Sequence, residues 1–124
     1  MEKPYLLIVE EQNEVTSLVT EITTISDFDI TTISNATHLR KALVEHTFSV
    51  IIIDLFMPES DQFKLIIDLA DIRCRSSLIF VSGKGNMLLD VARKIAQAKK
   101  LNPIGLLNKP IQPESLKEIL NKAI

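Results

Sequence analysis

The chain has 124 residues, a length that fits one domain able to bury roughly two-thirds of its unfolded surface without disulfides or metal staples. Fourteen basic and sixteen acidic side chains give a formal net charge of −2, with no block of like charge, so the sequence carries neither a nucleic-acid footprint nor a membrane-binding patch. The single cysteine, Cys74, excludes an internal disulfide; with no signal sequence or long apolar span in view, the expected compartment is a reducing cytoplasm.

Strand-like and helix-like segments alternate from end to end, with no repeat, low-complexity tract or linker between them. Tyr5 to Val9 reads as a first apolar strand. Val15, Leu18, Val19, Ile22 and Ile25 then recur at helical spacing, and Asn13 stands where a cap is needed. Asp29 to Ile33, with its threonines and polar flanks, suits an edge strand. Leu39, Ala42 and Leu43 mark a second helix. Val50 to Ile53 is a run of β-branched residues with no alternation, the pattern of a strand buried on both faces of a parallel sheet. Asp54 ends it, and Pro58 biases Met57 away from helical backbone, so Asp54 is expected at the base of a loop. Phe63, Ile66, Ile67 and Ala70 give the third helix an apolar stripe. Leu78 to Val81 is strand four, and Leu88, Val91, Ala92, Ile95 and Ala96 line an amphipathic helix. Ile104 to Leu107 is strand five; Pro113 and Glu114 open a last helix carrying Leu116, Ile119, Leu120 and Ala123.

Five such units with right-handed crossovers imply an α/β fold, a three-layer α/β/α sandwich around a parallel five-stranded sheet, in one domain spanning residues 1–124. Ligands of open α/β sheets lie over the C-terminal strand ends. The residues there are Glu10 and Glu11, Asp54, Ser82 and Lys109. Clustered carboxylates resist ionisation unless a cation shares the site, and magnesium suits one that offers carboxylates, water and phosphate oxygen. Lysine is a point-charge partner for phosphate. Those parts favour phosphoryl transfer, with Asp54 the candidate nucleophile.

Taken singly, each of these residues has a bland reading as an ordinary strand-end or surface group. Gly83-Lys84-Gly85 lacks the spacing of a nucleotide phosphate loop, His38 and His46 lack metal-ligand neighbours, and Cys74 between two arginines reads as an incidental thiol. A haloacid-dehalogenase-like phosphatase would need a second aspartate two residues after the first, and Phe56 stands there. Acid-rich strand ends would also repel a flavin phosphate unless a metal intervened.

Four segments in order, Leu6-Leu7-Ile8-Val9-Glu10-Glu11, Ile53-Asp54-Leu55-Phe56-Met57-Pro58 with Asp61, Phe80-Val81-Ser82-Gly83 and Asn108-Lys109-Pro110, resemble the receiver (CheY-like) domain of two-component response regulators. The resemblance spans essentially the whole chain. It implies a flavodoxin-like (βα)5 fold with strand order 2-1-3-4-5. It further implies that Asp54 accepts phosphate from a histidine kinase or histidine phosphotransfer protein, that Ser82 and Lys109 contact the phosphoryl group, and that Glu10, Glu11, Asp54 and the Phe56 carbonyl hold Mg2+. In that family the Lys109-Pro110 bond is usually cis, and the fourth helix, fifth strand and last helix serve homodimerisation or binding of an output domain or downstream protein. Ser82-Gly83, Ala92-Arg93, Ala96, Leu101-Asn102 and Gly105-Leu106-Leu107 look similar to receivers preceding EAL-type phosphodiesterase domains, so the chain reads as a stand-alone receiver or one excised from a longer protein.

Three positions depart from the pattern. The acidic pair is Glu10-Glu11 where two aspartates, or one of each, are usual, which moves each carboxylate outward by roughly 1.5 Å and is expected to weaken magnesium or place a water between. Leu106 stands where an aromatic ring commonly turns inward. Gln62 stands where a glycine commonly follows the loop aspartate, so the turn at Asp61 to Gln62 is expected to differ. These departures motivate an alternative, a pseudo-receiver that binds a partner without being phosphorylated; retention of Asp54, Ser82 and Lys109 argues for the working switch.

Overall fold

The computed structural model describes residues 3–22 and 27–123. Along the chain run β1 (Tyr5–Val9), α1 (Glu14–Ile22), β2 (Asp29–Ile33), a 3₁₀ turn (Ala36–His38), α2 (Leu39–Glu45), β3 (Phe48–Asp54), α3 (Glu59–Asp71), β4 (Ser77–Ser82), α4 (Asn86–Ala98), β5 (Asn102–Asn108) and α5 (Pro113–Lys122). All four strand pairings are parallel, in the order β2-β1-β3-β4-β5. This is the expected flavodoxin-like three-layer sandwich.

The three inner strands are apolar at consecutive positions because both faces of the sheet are covered. Leu7 and Val9, Ile51 and Ile53, and Leu78 and Phe80 join a core roofed by α2, α3 and α4 through Leu39, Leu65, Leu69, Leu89 and Ala96. Their neighbours Leu6 and Ile8, Val50 and Ile52, and Ile79 and Val81 join a second core under α1 and α5, with Val15, Val19, Leu116 and Leu120. Alternate side chains of one strand thus serve opposite layers. β2, with its threonines, lies on the edge, as its composition predicts.

Several local expectations are corrected. The buried stripe of α3 is Leu65, Ile66 and Leu69, leaving Phe63 and Ile67 at 37% and 45% exposure. On α4 the buried positions are Leu89, Ala92 and Ala96, while Val91 faces solvent. In both helices an apolar residue beside the true stripe blurred the periodicity. β5 starts at Asn102 and shifts register against β4 between Leu78 and Ile79; Pro103 obscured that start, and an edge strand tolerates it. No turn forms at Asp61 to Gln62, because α3 already begins at Glu59. Ile25 lies outside the described residues. No helix among the described residues is long and apolar enough to cross a membrane.

Gly105 lets α5 lie close on β5. A Cβ there would come within 2.8 Å of Ile119 Cδ1 and 2.9 Å of its Cγ2.

Candidate functional site

Asp54 closes β3 with 2% of its surface exposed. The loop behind it, Leu55 to Pro58, is non-helical as Pro58 requires, and the loop's own backbone supplies a donor: Phe56 N–H to Asp54 Oδ1 at 2.9 Å. Gln62, one turn into α3, fastens that loop by donating to the carbonyls of Leu55 (2.7 Å) and Met57 (3.1 Å). Asp54 Oδ2 faces Lys109 Nζ at 2.7 Å.

Lys109 follows β5, its peptide bond to Pro110 is cis, and its N–H donates to the Ser82 carbonyl at 2.9 Å. Its ammonium also lies 3.6 Å from Glu14 Oε2 and 5.7 Å from the centroid of the half-exposed Phe56 ring. Burial alone would lower the lysine pKa, but the Asp54 carboxylate, followed by Glu14, outweighs it and holds the amine above its ordinary value. Ser82, 1% exposed at the end of β4, accepts from Lys84 N–H at 3.0 Å through Oγ. A hydroxyl has one hydrogen, and that bond does not use it. Glu14, Phe56, Ser82, Lys84 and Lys109, with Gln12, line a cleft of about 340 Å³, and Asp54 meets that lining at Lys109. The structure therefore brings together Asp54, Ser82 and Lys109, as the strand ends predict.

It does not bring Glu10 to them. Both oxygens of Glu10 face the start of α1: Oε1 accepts from Val15 N–H at 2.9 Å, and Oε2 accepts from Thr16 N–H at 2.7 Å and from the Thr16 hydroxyl at 2.5 Å. The residue is 2% exposed. Asn13 holds the cap position through its carbonyl, which accepts from Ser17 N–H at 3.1 Å, but the carboxylate serving the free amides is that of Glu10. Glu11 is exposed. No group of three His, Cys, Asp or Glu side chains among the described residues is placed to hold a metal ion. Of the expected ligands Glu10, Glu11, Asp54 and Phe56, Glu10 does not fit Mg2+ in this arrangement, because both its oxygens already accept hydrogen bonds from the start of α1.

Glu14 and Gln62 are the site residues that sequence reasoning missed. A signal for Glu14 existed: a helix that starts at the C-terminal edge of the sheet presents its first turn to the cleft, so an acid there meets the lysine of the last strand.

A buried aspartate at the topological switch point, paired with a lysine and flanked by a strand-end hydroxyl, defines a doubly wound domain built around one anionic acceptor. The chain belongs to the response regulator receiver domain family, whose model matches residues 6–121. No curated protein matches it by sequence. Among solved structures it is similar to the signal receiver domain of an HD domain-containing protein from Pseudomonas fluorescens (TM-score 0.81, 16% identity, covering 98% of this chain and 94% of that one). It is also similar to the receiver domain of a putative Luxo repressor protein from Vibrio parahaemolyticus (TM-score 0.80, 20%, 98% and 90%). A response regulator from Colwellia psychrerythraea aligns at TM-score 0.76 and 25% identity, with 98% of each chain covered.

Proposed function

We propose that this receiver domain takes a phosphoryl group onto Asp54 from a histidine kinase or histidine phosphotransfer protein in the cytoplasm, and so switches an output domain or downstream protein. The 2.7 Å approach of the Nζ of Lys109, a residue that lines the cleft, to Asp54 Oδ2 carries the reading. In the transfer, Asp54 attacks phosphorus, a P–O bond forms, and the P–N bond of the donor phosphohistidine breaks. Lys109 moves its charge onto the phosphoryl oxygens, and the unused hydroxyl hydrogen of Ser82 donates to one of them. Catalysis here is positioning and charge neutralisation.

Leu106 packs against the core on the α4 side and offers no ring to turn inward. The outward message then rests on the Ser82 and Lys109 segments, which share a backbone hydrogen bond. The faces of α4, β5 and α5 are what this reading offers to a partner or second copy.

Incubation with acetyl phosphate or phosphoramidate, with and without magnesium, followed by intact mass, tests the proposal. One phosphoryl adduct that disappears in Asp54→Asn is expected. No adduct at any magnesium concentration would leave the pseudo-receiver, a protein-binding module of the same fold.

A further inference from the structure

We propose that Glu10 has left the cation chemistry of the cleft and serves as an internal cap of α1, so that it is not a ligand to a divalent ion at this site. The inference rests on the cleft being the phosphoacceptor site, and it concerns which of the cleft's acids remain available.

Three observations carry it. First, the Glu10 carboxylate meets three donors at 2.5 to 2.9 Å and is almost fully buried. The first amides of a helix have no intrahelical acceptor, and a carboxylate there also matches the positive end of the helix dipole. A side chain from four residues before the helix does this work because glutamate is longer than the usual aspartate by one methylene. The extra reach that sequence reasoning treats as a defect in metal geometry is what spans the distance to Val15 and Thr16.

Secondly, the cap belongs to a longer chain of bonds. The Thr16 hydroxyl gives its one hydrogen to Glu10, so in its 3.1 Å contact with Thr32 the Thr32 hydroxyl must be the donor. Glu10 N–H donates to the Ile33 carbonyl at 3.0 Å. Glu10 thereby ties α1 to the end of the edge strand β2. Turning its carboxylate toward the cleft would leave two amides and a hydroxyl near the protein interior without their acceptor, a strongly unfavourable exchange.

Thirdly, the positive charge beside Asp54 is already provided from within. Lys109 sits between Asp54 and Glu14, so Glu14, on the first turn of the helix that Glu10 caps, is the second carboxylate of the Lys109 cluster. Losing the cap would disturb Glu14, which makes Glu10 a positioning residue for the cleft.

The experiment uses unphosphorylated protein, so it stands apart from the mass measurement: failure to phosphorylate says nothing about it. Amide hydrogen exchange at Val15 and Thr16 is followed by NMR with and without saturating Mg2+, and Mn2+ binding is titrated by electron paramagnetic resonance in wild type and Glu10→Gln. We expect both amides to exchange at rates unchanged within about threefold when Mg2+ is added. Glu10→Gln should exchange them at least tenfold faster while its Mn2+ midpoint stays within fivefold of wild type, or while both proteins fail to bind. Exchange that accelerates more than threefold on adding Mg2+ would show Glu10 surrendering the cap to the ion. A larger loss of Mn2+ affinity in Glu10→Gln would show the same thing. Either result overturns the proposal. If Glu10→Gln does not fold, the exchange measurement on wild type decides alone.

Discussion

Lys109 is the residue on which the cleft depends electrostatically, since it faces Asp54 and Glu14 together. Replacing it with methionine leaves the almost fully buried Asp54 carboxylate with the Phe56 amide and no cation. We expect Lys109→Met to cost about 1–3 kcal/mol in urea denaturation at neutral pH, below the usual figure for breaking a fully buried pair because the lysine is partly hydrated. The folded-state pKa of this lysine is raised, so its contribution is complete below the ordinary lysine value and fades as pH climbs through the folded value. The stability gap between wild type and the methionine variant should hold steady through neutral and mildly alkaline pH and close only beyond the ordinary lysine value. A gap that closes near neutrality would mean that another group supports Asp54. At this scale the sequence was legible for Asp54, Ser82 and Lys109, because each follows an apolar strand and strand ends lie at one edge. It was not legible for Glu10 against Glu14. Both are glutamates beside the same edge, and only the path of the first turn of α1 decides which one looks into the cleft.

Among the elements, α5 shows how little space a helix interface can hold. Its approach to β5 relies on Gly105, where even one methyl group would meet two carbons of Ile119 inside 3.0 Å. Gly105→Ala should destabilise the domain by about 1–3 kcal/mol, the range for overpacking a fitted contact. Because the clash is with a single side chain, Gly105→Ala combined with Ile119→Ala should cost at least 1 kcal/mol less than the sum of the two changes, a coupling estimate for residues in contact. Simple additivity in chemical denaturation would place the strain in the β5 backbone instead. Helices were legible in existence and order but not in rotation: Phe63 and Ile67 fit an apolar period as well as Leu65 and Leu69 do, and only docking on the sheet chooses between them. β5 was recognised only from Ile104 onward, since a proline near a strand start reads as a break until the edge position is known.

Across the whole molecule, one sheet divides two cores. Ile66 on α3 belongs to one and Val19 on α1 to the other. Ile66→Val should cost about 0.5–1.5 kcal/mol and Val19→Ala about 1.5–3 kcal/mol for two buried methyl groups. With the sheet between them the double variant should match the sum to about 0.5 kcal/mol, within a single two-state urea transition. Two separate transitions would mean that the layers melt independently. The fold itself was the most legible property, because short runs of consecutive apolar positions in β1, β3 and β4, alternating with helical segments, are the pattern of a sheet covered on both sides. That same alternation reaches the cleft. Asp54 and Lys109 continue the positions that face α1 and α5, whereas Ser82 continues those that face α4. The sheet is a wall between two rooms, and the cleft is the doorway at its end. A group held by Asp54, Lys109 and Ser82 together stands in that doorway and touches both sides, so one small anion can be felt in both layers while the wall stays where it is.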